Sequence, residues 1–88
     1  RMHFPRVEQN GAELRILLGK PDLAVWSVLF SERADLRFRK EAPPCVSCRL
    51  PAGTPPAETA AELLVRYAAV ADGIAAEAGQ KNKEVPAP

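Results

Sequence analysis

The stretch "LAVWSVLF", residues 23–30, decides how the chain is read, because it is apolar along its whole length except for one serine. Gly19, Lys20, Pro21 and Asp22 before it carry turn chemistry, and "SERAD", residues 31–35, makes a turn after it. Read as a strand, it presents Ala24, Trp26, Val28 and Phe30 on one face and Leu23, Val25, Ser27 and Leu29 on the other. A strand apolar on both sides has to be covered on both sides. The rest of the chain offers one long helix for that purpose, so the second cover is expected from a second copy, a partner protein or the chain's own tail.

On the N-terminal side, Asn10-Gly11 separates "HFPRVEQ" from "AELRILLG", and such a pair between short alternating runs predicts a two-residue hairpin. Leu14, Ile16 and Leu18 point one way while Glu13 and Arg15 point the other, and Pro5 assigns the first run to a sheet edge. On the C-terminal side, "LRFRKE" sets Leu36 and Phe38 inward and Arg37 and Arg39 outward. "CVSCRL" then reads as a short strand with Val46, Cys48 and Leu50 on one face and Cys45, Ser47 and Arg49 on the other.

"PAGTPPAE" ends the sheet and opens a helix: Thr54 is a capping residue, Pro55 suits a first turn, and Glu58 favours the positive end of the helix dipole. From about Ala57 to Ala78 the period is helical. Ala60, Leu63, Leu64, Tyr67, Val70, Ala71, Ile74 and Ala78 fall on one stripe, and Glu62 is spaced to pair with Arg66. The expected fold is therefore α+β: an antiparallel β-meander of four or five strands followed by one long C-terminal amphipathic helix packed on the sheet. A single domain is expected over residues 1–79, with a disordered tail over 80–88, which is polar and ends in proline.

Composition narrows the function classes. The chain has 88 residues, 47% of them apolar and 26% charged, within the globular range. No apolar run approaches the roughly 18 residues that span a bilayer, and no signal-peptide succession opens the chain, so a cytoplasmic protein without membrane association is expected. Small size with Ala, Arg and Pro usage suggests an accessory or regulatory protein of a bacterium or phage. The net charge of +1 conceals +3 through Leu50 and −2 from Pro51 onward, well short of a dedicated nucleic-acid arm.

Cys45 and Cys48 have the CxxC spacing of redox centres and zinc knuckles. A redox CxxC needs a helix start at its first cysteine, and here Pro43-Pro44 precedes and Pro51 follows. His3 is the only other Cys or His, too few ligands for a closed zinc site. In a strand the two thiols face opposite ways and oppose an internal disulfide; in a tight turn they would meet. The carboxylates that could pair are Glu58 with Glu62, on a solvated helix face, or Glu8 with Glu13; Ser27, Ser31, Ser47 or a cysteine would need His3, the sole histidine, as base; and the glycines are isolated. No enzyme, metal or cofactor is expected.

What remains is association. A helix of about 22 residues is about 33 Å long, against about 20 Å for six-residue strands, so the helix should overhang its sheet. With the uncovered face of the 23–30 strand, this predicts a small interaction module, a homodimer or bound to a protein partner, through Leu23, Val25, Leu29, Ala71, Ile74 and Ala78. The alternative is a single-stranded nucleic-acid binder using an outward face of Arg15, Arg37, Arg39 and Arg49.

Overall fold

Leu14 and Ile16 alternate with Glu13 and Arg15, and that alternation seeds the sheet. The computed structural model describes residues 3–83, with side chains described through Gly79. Its elements are β1 (Arg6–Asn10), β2 (Glu13–Leu17), α1 (Leu23–Glu32), β3 (Arg37–Arg39), β4 (Cys45–Arg49) and α2 (Pro56–Lys83). The four strands form one antiparallel sheet in the order β1-β2-β4-β3, and the chain is α+β with its long helix last. The central strands β2 and β4 are the buried ones. β1, preceded by Pro5, lies on an edge and is exposed throughout.

The β1–β2 hairpin turns one residue later than Asn10-Gly11. Asn10 pairs with Glu13, leaving Gly11 and Ala12 as the loop. Gly11 has φ of 61° and among the described residues no non-glycine residue has positive φ, which matches a II′ turn with glycine first. The pairing that sets Val7 against Ile16 and Gln9 against Leu14 then places both strands' alternation in phase.

The segment 23–30 is a helix, not a strand, which corrects the sequence reading. Asp22 is its N-cap: Oδ1 accepts from the backbone N–H of Ala24 at 3.1 Å and of Val25 at 3.4 Å. Helical spacing gathers Val25, Trp26 and Leu29 on one side, where all three are buried, and turns Leu23, Ala24 and Ser27 to solvent. A short apolar run satisfies either geometry locally, and the Pro21-Asp22 pair read as a turn is the start of the helix. The consequence is topological. The helix carries the chain across the sheet so that β3 runs parallel to β2, and β4 fills the gap between them, antiparallel to both. Strand neighbours are therefore not all sequence neighbours, as a simple meander would have them.

Both helices lie on the face bearing Leu14, Ile16, Val46 and Cys48, and these residues join Val25, Trp26, Leu29, Ala60, Leu63 and Val70 in one core. Trp26 is 1% exposed and sits at the helix–helix contact, its ring 5.1 Å from that of Tyr67 and 6.2 Å from that of Phe30. Arg66 of α2 makes a two-pronged pair with Glu32 of α1 instead of the expected pair with Glu62. α2 begins at Pro56, one residue before the expected Ala57, and continues through Lys83, five residues past the expected Ala78; residues 84–88 of the expected tail lie outside the described residues.

Asp22→Ala is expected to lower stability by about 1 kcal/mol through loss of the cap. Trp26→Ala is expected to lower it by about 3–5 kcal/mol through the cavity between the helices. Urea unfolding followed by far-ultraviolet circular dichroism measures both, and the order of the two effects tests the helical assignment of 23–32.

Candidate functional site

The sheet has a second face, opposite the helices, and its residues follow from the register. Arg15 of β2 pairs with Ser47 of β4, which pairs with Arg37 of β3; Glu13 pairs with Arg49, and Leu17 with Cys45, which pairs with Arg39. Arg15, Arg37, Arg39 and Arg49 therefore share one face, as the alternation of their strands predicts.

Neither described helix covers this face, yet Cys45 and Ser47 in its middle are 1% and 2% exposed. Long side chains lying across the sheet supply the cover. Glu13 is the hub: Arg15 Nε donates to its Oε1 at 2.9 Å and Arg39 Nη2 to its Oε2 at 3.3 Å. Arg15 Nη1 reaches on to Glu41 at 3.1 Å, while Arg39 Nε donates to Ser47 Oγ at 3.3 Å. The Arg15 hydrogen bond holds the Glu13 carboxyl below its ordinary pKa, partial desolvation opposes it, and the field of Arg39 adds to the lowering. Of the other members of this cluster, Glu13 stands out in the sequence only as a carboxylate paired with Glu8 and Ser47 only as a nucleophile, with no signal for Glu41. Alternation places Glu13 on the outward face beside Arg15, but its reach across β4 to Arg39 is a tertiary fact.

Arg37 and Arg49 stand outside the network. Arg49 is opposite Glu13 in register, but the Glu13 carboxylate turns to Arg15 and Arg39, and among the described residues no hydrogen bond joins it to Arg49. Asp35, close to Arg37 in sequence, is held by Arg33 through two hydrogen bonds of 3.0 and 2.7 Å. Among the described residues no ion pair involves Arg37 or Arg49. Both line a groove of 460 Å³ that also touches Asn10, Glu13, Asp35 and Ser47.

The other predicted surface is divided. Val25 and Leu29 are core residues of α1 and unavailable to a partner, a correction that follows from the helix, whereas Leu23 at its first turn is 54% exposed. On α2, Ala71 is half-buried and Ile74 and Ala78 are exposed, continuing the stripe of Leu63, Tyr67 and Val70. A second hollow of 400 Å³, apolar and lined by Phe4, Leu18, Pro21, Trp26, Leu64 and Tyr67, opens where the N-terminal segment meets the two helices. Its pairing of distant segments left no local signal in sequence.

Cys45 and Cys48 are buried free thiols on opposite faces of β4, Cys45 opposite Leu17 and Cys48 opposite Leu14. Burial pushes both thiols above their ordinary pKa, with the charge of Glu41 adding at Cys45 and that of Asp35 at Cys48. Among the described residues no group of three or more His, Cys, Asp or Glu is placed to hold a metal ion. No described helix is long and apolar enough to cross a membrane. Comparison with protein-family models, curated proteins and solved structures finds no match to this chain.

The thiols should resist alkylation by iodoacetamide at neutral pH in the native protein and react once it is unfolded; rapid native labelling would contradict their burial. Because the native thiol pKa values are raised, their contribution to stability is fully present below the ordinary thiol pKa of about 8.5 and is lost as pH climbs through the raised native values. Urea unfolding at a series of alkaline pH values, compared between the parent and Cys45→Ser with Cys48→Ser, measures that loss.

Proposed function

We propose that the protein is a small non-catalytic interaction module that pairs with a second copy of itself through the projecting half of α2. The observation that carries this reading is the fate of the core stripe. α2 has 28 residues and is about 42 Å long, whereas five-residue strands span about 17 Å. Residues Asp72–Ala78 are exposed on all sides, and the long axis of the molecule measures 59 Å against 29 and 18 Å across. The stripe nevertheless continues into this segment as Ile74 and Ala78, 38% of Ile74 being open to water.

A second copy suits that surface better than an arbitrary partner. Two α2 segments related by a two-fold axis near residue 76 set Ile74 of one against Ala78 of the other, a large side chain against a small one. Leu23, exposed on α1, is a further apolar residue available to such a contact.

Binding of single-stranded nucleic acid by the arginine face is the second reading, favoured by the register that puts Arg15, Arg37, Arg39 and Arg49 on one side. Two features weigh against it. Arg15 and Arg39 are already paired with glutamates, and Phe38, Trp26 and Tyr67 belong to the helix side of the sheet, leaving the arginine face without stacking platforms.

Light scattering after size exclusion is expected to give the mass of two chains for the parent protein. Ile74→Lys should weaken association at least about tenfold while the helical dichroism persists. A monomer at high concentration, or an Ile74→Lys variant that still pairs, would overturn this reading.

A further inference from the structure

The geometry points to an oxyanion-binding site on the sheet face away from α2, where Arg37 and Arg49 hold a phosphate group carried by a ligand. Four arginines converge on this face, and the carboxylates available to them satisfy two. Glu13 bridges Arg15 and Arg39, Glu41 takes the remaining reach of Arg15, and Asp35 is closed off by Arg33. Arg37 and Arg49 are left facing a groove of 460 Å³ with no carboxylate of their own among the described residues. Their strands place them close together: Arg37 is directly opposite Ser47, and Arg49 is two residues from Ser47 on the same face of β4.

The neighbouring network of Arg15, Arg39, Glu13 and Ser47 holds the surface beside the pair in place. Ser47 is buried and holds Arg39 by its hydroxyl, which fixes the floor beneath both free guanidiniums. Planar guanidiniums with several N–H donors suit a tetrahedral phosphate, and the amide of Asn10 adds a neutral donor on the same groove. A carboxylate ligand would duplicate what Glu13 already supplies to Arg15 and Arg39. A doubly charged phosphate balances both remaining cations at once. The site owes nothing to the projecting helix, so it stands or falls separately from self-association.

The test is a titration of the full chain with inorganic phosphate at constant ionic strength, followed by ¹⁵N correlation spectra that include the arginine Nε–H signals, with chloride as the control anion. Saturable shifts at Arg37, Arg49 and Ser47 that chloride does not produce are expected, with affinity falling at least tenfold in Arg37→Ala with Arg49→Ala. Arg66→Ala, remote on α2, should bind as the parent does, and the double variant should keep the parent's mass in solution. A parallel titration with a single-stranded oligonucleotide separates the sources: tighter, salt-dependent binding at the same residues identifies a phosphodiester chain, and its absence identifies a small phosphorylated ligand. Equal shifts from chloride, no saturation, or shifts centred on Lys20 or Arg15 in a correctly folded protein would overturn the proposal.

Discussion

The contact of Trp26 with Tyr67 is the joint on which the rest of the molecule depends. Four short strands bury one face well, and two helices must lie side by side on that face to close it. Trp26 fills the space where they meet, backed by Phe30 on its own helix and Tyr67 on the other. Its indole N–H is buried and has no hydrogen-bond partner among the described residues. With α1 held there, β3 is delivered parallel to β2, and β4 has one place to go.

Closing one face leaves the other with no hydrophobic layer, and the chain covers it with charged side chains instead. Arg15 and Arg39 lie across Ser47 and Cys45 to reach Glu13 and Glu41, so their stems exclude water while their heads remain solvated. Exposed ion pairs of this kind contribute little stability, and their value here is geometric. They hold the middle of the sheet closed and consume the local carboxylates, which is what sets Arg37 and Arg49 apart as cations without a structural task.

α2 solves a different problem from the rest. Its first half completes the core with Ala60, Leu63 and Val70, and its second half extends past everything it covers. A radius of gyration of 15.7 Å, against about 12 Å for a compact chain of this length, is the measure of that excess. The two faces of functional interest are consequently on different layers: an apolar stripe on the projecting helix and an arginine groove on the opposite side of the sheet.

Several of these features were legible in the chain itself. Period-two alternation in Glu13–Leu17, Arg37–Arg39 and Cys45–Arg49 indicated the shared arginine face, whereas the opposed thiols followed only once 45–49 proved to be a strand and not the tight turn that its preceding prolines also allow. The stripe from Ala60 to Val70 determined α2, because helical period over that length has no competing reading. Residues 23–30 were different. Their apolar character predicts burial in a strand or a helix alike, and it took the packing of Trp26 against Tyr67, together with the Asp22 cap, to decide for the helix. That decision moved Val25 and Leu29 from a surface to the core and placed β4 between β2 and β3. Ion-pair partners were likewise decided in three dimensions, since Arg66 chose Glu32 and Arg39 chose Glu13 over sequence neighbours. Periodicity is a property of one segment and survives in the sequence, whereas partner choice depends on which segments the fold brings within a few ångströms of each other.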